Sequence, residues 1–235
     1  MADLQTAILA GQGAIAFGVA FDGDGDRMGA VDDVGRVIAP DHLLMLFADD
    51  VLARAPGATV IADVKTSDHF FTRVKAHGGI PLVWMTGHAH IKTKMAKTAA
   101  KFAGEASGHI FFADEYYGYD DGLYAALRLA RIVATSGKKL SSMIDALPKI
   151  FASPEIRIAC ADDKKFDIVD ALKKQFPDAV TIDGVRVTTP DGWWLIRASN
   201  TQAALSARAE AANADSLTRV MHAMHTALSS CGIKI

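Results

Sequence analysis

From residue 58 to residue 100 the chain alternates short apolar runs with amphipathic stretches of helical length. Thr59-Val60-Ile61-Ala62-Asp63-Val64 reads as a buried strand, and residues 68–77 read as a helix capped by Ser67 or Asp68 and stopped at Gly78-Gly79. Residues 80–85 then predict a strand and residues 88–100 a helix. Strands separated this way run parallel in one sheet, with helices packed on both faces. Ligands collect in such sheets where strand C-termini feed loops, which points to Lys65-Thr66, Thr86-Gly87-His88 and the loops near Gly104. Residues 123–133 and 138–147 predict further helices. Beyond Ala152-Ser153-Pro154 the pattern changes to a strand at 155–160, a helix at 164–176, a hairpin over 181–187 turning at Asp183-Gly184, strands at 193–197 and 203–210, and a closing helix at 216–228. The expected fold class is α/β: a parallel-type domain with helices on both faces, followed by a smaller α+β domain.

Upstream lies Asp22-Gly23-Asp24-Gly25-Asp26-Arg27, entered by an apolar run at 14–21 that predicts a strand covered on both faces. Three carboxylates at alternate positions would repel one another along a flat strand. Gly23 and Gly25 let the loop curl so that Asp22, Asp24 and Asp26 converge, the arrangement a hard divalent cation requires. An EF-hand loop needs glycine sixth and glutamate twelfth, and here those places hold Arg27 and Asp33. Arg27 beside a cation offers a guanidinium fork to phosphate, so the loop reads as a magnesium–phosphate site. The opening 36 residues supply few elements to close a core, which predicts a loosely held segment.

The 235 residues carry a formal charge of −2 and half are hydrophobic, enough for one large domain or two ordinary ones. No basic field invites nucleic acid or an anionic membrane, and no apolar run is long enough to span a bilayer. Two cysteines, Cys160 and Cys231, without a CxxC pair fit a reduced compartment, and no signal peptide precedes the chain, so a cytoplasmic protein is expected.

Two further clusters carry polar chemistry. In Gly104-Glu105-Ala106-Ser107-Gly108-His109, the acid, hydroxyl and imidazole alternate between glycines and suit vicinal sugar hydroxyls. An ordinary strand end with polar residues facing solvent explains it equally well. Arg197-Ala198-Ser199-Asn200-Thr201-Gln202 offers a guanidinium, hydroxyls and loop N–H groups to an anion, although a polar hairpin tip is the simpler reading. His88, His90 and His109 lack a zinc spacing, and Lys92, Lys94, Lys97 and Lys101 read as a solvated helix face. Taken together, the three loops ask for a phosphorylated sugar at a magnesium-dependent phosphoryl-transfer site.

In order, residues 22–27, Asp63-Val64-Lys65, Thr86-Gly87-His88, residues 104–109, Asp120-Asp121-Gly122 and residues 197–201 resemble motifs of the α-D-phosphohexomutases, most closely the bacterial phosphomannomutase/phosphoglucomutase branch. Ala106 and Gln202 depart from the commonest wording, and the phosphoglucosamine branch carries Gly-Thr where this chain has Asn200-Thr201. The resemblance implies a four-domain enzyme interconverting hexose 1-phosphate and hexose 6-phosphate, of mannose or glucose, through a hexose 1,6-bisphosphate intermediate. It implies that residues 1–36 are the end of domain 2 with the metal loop, 37–152 the sugar-binding domain 3 and 153–235 the phosphate-binding domain 4. The N-terminal domains, with a phosphoserine in a Thr-x-Ser-His-Asn-Pro-like loop, would be missing partners; Thr66-Ser67-Asp68-His69 has the wrong order.

By the same resemblance Asp22, Asp24 and Asp26 bind Mg²⁺ and Arg27 lies at the reacting phosphate. Lys65, His88 and His109 line the cleft, the histidines near the reacting oxygen. Glu105 and Ser107 read sugar hydroxyls, and Arg197, Ser199, Asn200 and Thr201, with Arg208 assisting, hold the phosphate that is not transferred. The chain is thus expected to be an inactive C-terminal part of a mutase. The alternatives are a stand-alone sugar-phosphate-binding or regulatory module and a metal-stabilised structural domain, the last leaving Glu105 and Arg197 without a purpose.

Overall fold

Residues 22–27 form the bend of an antiparallel hairpin in the computed structural model, which describes residues 1–233. Helix α1 (Ala2–Ala10) precedes strand β1 (Phe17–Phe21), and β2 (Met28–Asp32) returns with Phe21 opposite Met28. The strand expected over 14–21 starts at Phe17 and is half-buried rather than covered on both faces, because its sheet has two strands. Strand β2 differs, with Met28, Ala30 and Val31 all buried.

The alternating region follows as α2 (Pro40–Arg54), β3 (Thr59–Asp63), α3 (Asp68–Ala76), β4 (Ile80–Trp84), α4 (His88–Thr98), β5 (Phe102–Gly104) and β6 (Ile110–Phe112). Pro40 sits in the first turn of α2, where its missing N–H costs nothing. Ser67 caps α3, accepting the His69 N–H at 3.1 Å. The sheet order is β4-β3-β5-β6; β3 runs parallel to β4 and β5, while β6 is antiparallel to β5. The reversal has a simple cause: the few residues between β5 and β6 form a turn, whereas a parallel return needs a crossover of a dozen or more.

Side-chain alternation divides this sheet into two faces. Ile61, Ala103 and Phe111 pack with Ile91 and Met95 of α4. On the other face Phe102 and Phe112 meet Phe47 of α2, with ring centroids 6.3 and 5.3 Å apart. Gly104 lies on that face so close to Leu44 that a Cβ would collide with it.

Helix α5 (Gly122–Ser136) is capped by Asp121, which accepts the Tyr124 N–H at 2.8 Å, and it packs against β2 and β6. Helix α6 (Leu140–Asp145) ends the region, and its Ser141 N–H donates to Asp33 at 2.8 Å. Arg36 reaches Asp145 at 2.6 Å and the Ser141 carbonyl at 3.2 Å. The hairpin is therefore packed into the same unit, Met1–Pro148, as the α/β sheet.

The second unit, Lys149–Ile235, contains β7 (Phe151–Ala152), β8 (Ile156–Ala159), α7 (Asp162–Gln175), β9 (Val185–Thr189), β10 (Gly192–Ala198), β11 (Ala204–Ala211) and α8 (Ala214–Ser230). Its sheet is antiparallel, ordered β7-β11-β10-β9 with β8 also pairing β11. Trp194, Ile196, Leu205, Ala207 and Ala209 form one face, covered by Leu172 of α7 and Val220, Met224 and Leu228 of α8. The hairpin expected at Asp183-Gly184 is displaced. Before Gly184 there is a single bridge, Val180 to Arg186, and the hairpin turn is Pro190-Asp191 between β9 and β10. Proline presets φ for the second place of such a turn. Gly184 instead takes φ +84° where it passes against β10, a place with no room for a Cβ. Among the described residues no helix is long and apolar enough to cross a membrane.

Candidate functional site

In the first unit, backbone pairing joins two of the sequence motifs. Arg27 and His109 form an antiparallel bridge, and the Met28 N–H donates to the Gly108 carbonyl at 3.4 Å. The aspartate loop is also fastened from α5, since the Gly122 N–H donates to the Gly25 carbonyl at 3.1 Å. A Cβ on Gly122 would stand 2.7 Å from that oxygen and 2.8 Å from the Arg27 carbonyl. Only hydrogen fits between these two backbones.

Carboxylate oxygens of Asp22, Asp24 and Asp26 come within 4.8 Å of one another. Arg27 Nε donates to Asp22 Oδ2 at 2.5 Å, and the Arg27 N–H donates to Oδ1 at 3.2 Å. These bonds hold the Asp22 carboxyl below its usual range against the opposing effect of desolvation. Asp26 goes the other way: burial and the charges of Asp24, Asp22 and Asp120 raise it, although His109 opposes them. Its Oδ1 is buried without a hydrogen bond. Crowded, partly orphaned oxygens of this kind fit a hard divalent cation, which would relieve both the repulsion and the missing partner.

His109 and His88 stack with centroids 5.6 Å apart and ring planes at 16°. Gly87, at φ +125°, turns the chain so that His88 begins α4 within reach of His109. Asp120 reaches both rings, with Oδ2 at 3.0 Å from His109 Nδ1 and 3.5 Å from His88 Nδ1. Its Oδ1 accepts from Lys92 Nζ at 3.0 Å, and this bond with the lysine charge lowers the carboxyl despite its burial. The sequence placed Asp120 in the Asp120-Asp121-Gly122 motif and gave it no role of its own. The signal was the doubled aspartate: Asp121 alone caps α5, leaving Asp120 for the histidines.

Glu105 is buried, and its oxygens accept from the Gly87 N–H at 2.8 Å and from Ser107 Oγ at 2.9 Å. Burial and the nearby Asp63 charge raise its carboxyl, outweighing those two bonds. Lys65 is also buried, with Nζ 3.9 Å from Asp63 Oδ2. Asp63 was assigned no role from sequence, yet it accepts from Thr66 Oγ1 at 2.7 Å, Thr86 Oγ1 at 3.2 Å and the Ala106 N–H at 3.2 Å. One carboxylate thus joins the three loops at the C-terminal edge of the sheet. Asp22, Arg27, Ser107 and Gly108 line a groove of about 480 Å³ together with Phe21 and Pro40.

In the second unit, Arg197 is buried and its Nε donates to Asp183 at 3.0 Å. Ser199 Oγ accepts the N–H groups of Thr201 at 3.4 Å and Gln202 at 3.2 Å, which curls the loop and leaves Asn200 and Thr201 exposed. Lys165, a residue sequence reasoning missed, anchors the loop by donating to the Gln202 carbonyl at 3.1 Å. Arg208 faces Leu195 in the ladder, and Arg186 faces Leu195 from the other side. Arg186, Arg197 and Arg208 therefore share the sheet face opposite the helices. The arrangement offers cationic forks and loop N–H groups to an anion.

The description "Phosphoglucomutase/phosphomannomutase, alpha/beta/alpha domain III" matches residues 39–151, and the C-terminal domain of the same family matches residues 155–227. The chain belongs to the phosphoglucomutase/phosphomannomutase family. A curated phosphomannomutase/phosphoglucomutase of Pseudomonas syringae pv. tomato is 47% identical over 215 residues, covering 90% of this chain and 46% of its own length. The crystal structure of a phosphoglucomutase/phosphomannomutase family protein from Burkholderia thailandensis superimposes with TM-score 0.87 at 41% identity, covering 97% of this chain and 50% of that one. An Aspergillus fumigatus N-acetylphosphoglucosamine mutase, solved with GlcNAc-6P and magnesium, shares the fold with TM-score 0.63 at 16% identity, over 89% of this chain and 51% of its own. This phosphoglucomutase/phosphomannomutase family chain spans about half the length of the curated relatives it matches. His88, Glu105, His109 and Asp120 fall in the domain III match and the Arg197 loop in the C-terminal one, while the aspartate loop precedes both.

Proposed function

We propose that this chain supplies the cation loop, the sugar-reading loop and the phosphate cradle of a magnesium-dependent phosphohexomutase, acting on mannose or glucose 1- and 6-phosphates through a hexose 1,6-bisphosphate, in the cytoplasm. The observation that carries the reading is the pairing of Arg27 with His109, which puts an aspartate loop suited to a cation beside two imidazoles and the Glu105 loop. Magnesium held by Asp22, Asp24 and Asp26 would neutralise charge on the reacting phosphate. Arg27 binds that phosphate, and His88 or His109 holds or moves the proton of the attacking hydroxyl. Glu105 keeps spare lone pairs for sugar hydroxyls beside Ser107. Arg197, Ser199, Asn200 and Thr201, with Arg208 behind them, hold the second phosphate. A bisphosphate that turns end over end presents either phosphate to the same cradle. The related fungal mutase, solved with a sugar phosphate and magnesium, supports this choice of ligands.

Titration calorimetry with glucose 6-phosphate is the direct test. Weak binding is expected, reduced about ten- to hundredfold by Arg197→Ala, since a charge-assisted contact contributes about 1.5–3 kcal/mol. Binding that ignores this substitution would remove the cradle from the reading. The 235 residues hold no Thr-x-Ser-His-Asn-Pro run, so no turnover of glucose 1-phosphate by this chain alone is expected even with Mg²⁺ and bisphosphate added.

A further inference from the structure

The aspartate loop leaves some nearby donors unused. Ligand atoms of Asp26, His109 and Asp120 also lie within 4.8 Å of one another. Asp120 is only 6% exposed, and while Lys92 occupies its Oδ1, its Oδ2 has no hydrogen bond. His109 Nδ1 and Asp26 Oδ1 are buried without one as well. His109 Nδ1 and Asp120 Oδ2 are close but misaligned, 3.0 Å apart, and His109 Nδ1 stands 3.6 Å from the other Asp26 oxygen, Oδ2. Each buried atom left in that state costs about 1–3 kcal/mol.

A metal ion accounts for both the spacing and the misalignment. Tetrahedral bonds of about 2.0–2.2 Å separate neighbouring donors by roughly 3.4 Å, between the two distances found here. A cation also needs lone pairs directed at a common point rather than at one another. One imidazole nitrogen with two carboxylates is a donor set for Zn²⁺ or Co²⁺, whereas Mg²⁺ prefers oxygen alone. Lys92 fixes Asp120 from behind, as supporting residues at metal sites commonly do.

We propose that Asp26, His109 and Asp120 form a second cation site for a borderline metal of the Zn²⁺ or Co²⁺ class, sharing Asp26 with the aspartate loop. The two sites draw on one carboxylate, so filling the second weakens Mg²⁺ at the first. Filling it also takes the His109 nitrogen out of proton transfer. In a phosphohexomutase the second site would be inhibitory; its existence does not depend on that reading.

The test is a titration of the metal-free 235-residue chain with Co²⁺, read by visible absorption. One equivalent should develop a ligand-field band that Zn²⁺ abolishes by displacement. His109→Gln and Asp120→Asn should each weaken binding by about tenfold or more, and Asp22→Asn should change it less than about twofold. Asp26→Asn should weaken both Co²⁺ and Mg²⁺. Circular dichroism checks that each variant is folded. Zn²⁺ added to the unsubstituted protein should shift the His109 ring resonances and spare those of His90, which requires no variant. A band that survives His109→Gln, or unshifted His109 resonances, would overturn the proposal and leave an imidazole between two carboxylates as the whole of the cluster. Loss of Mg²⁺ or phosphosugar binding with the Co²⁺ band intact would count against the mutase reading alone.

Discussion

Asp63 is fully buried and accepts hydrogen bonds from three separate loops. Replacing it with asparagine removes the charge and turns one acceptor into a donor facing other donors. Asp63→Asn should therefore destabilise the first unit by about 3 kcal/mol, measured by urea unfolding. A loss under about 1 kcal/mol would mean those bonds carry little weight. Gly122 is constrained by shape instead. Gly122→Ala pushes a methyl group into the Gly25 and Arg27 carbonyls, and overpacking of this kind costs about 1–3 kcal/mol. Because the displaced backbone is the aspartate loop, Mg²⁺ affinity should fall with stability, whereas Ala125→Gly one turn along α5 should cost stability and leave Mg²⁺ affinity unchanged. At this scale the sequence revealed chemistry better than connectivity. Three alternating aspartates suggested a cation, and the structure brings their oxygens together, but nothing in Asp63-Val64-Lys65 says which distant N–H and O–H groups will arrive at Asp63.

Among the elements, α5 does the most joining. Arg128 is buried on it, donates to Asp114 at 2.8 and 2.9 Å and to Asp50 of α2 at 2.8 Å, and lies 4.4 Å over the Phe112 ring. Burial pushes the Asp114 carboxyl up, but hydrogen bonds from Arg128 and Arg54 outweigh it and bring it down to about 2. A carboxyl lower in the folded chain than in the unfolded one stabilises the fold above its unfolded value and loses that contribution as pH falls through the folded one. Urea stability should therefore decline by about 2 kcal/mol from this group as pH drops from 4 towards 2. In Arg128→Met that part of the slope should shrink, leaving the share held by Arg54, which donates to Asp114 at 3.0 Å. Hydrogen exchange offers a second check: amides of β2, buried against α5, should exchange far more slowly than those of α1. That result would confine the looseness expected of residues 1–36 to α1 and exclude β2. Apolar periodicity made the helices and parallel strands legible. It could not rank two Asp-Gly turns, and Thr189-Pro190-Asp191-Gly192, with proline presetting the bend, is the one that closes the hairpin.

On the scale of the molecule, each unit buries apolar side chains of its own, on both faces of the mixed sheet in the first and on one face of the antiparallel sheet in the second. The second contains Trp194 and Leu172 fully enclosed by its own elements. Residues 149–235 expressed alone should accordingly unfold in one cooperative transition by calorimetry; a broad, featureless trace would show that this core is insufficient. The change from strand–helix alternation to hairpins marked the two classes of fold in the sequence. The strand-end rule also marked Lys65-Thr66, Thr86-Gly87-His88 and the loops near Gly104 as one ligand-gathering edge; it did not mark Asp63 as the carboxylate that ties them together, because that depends on where distant donors in the first unit end in space. One contact there has a further consequence. Arg27 Nε grips Asp22 Oδ2, one of the two oxygens that Asp22 could offer a cation. A cation seated on that oxygen would evict the guanidinium, so on the proposed reading loading the loop and freeing Arg27 for a phosphate would be a single event.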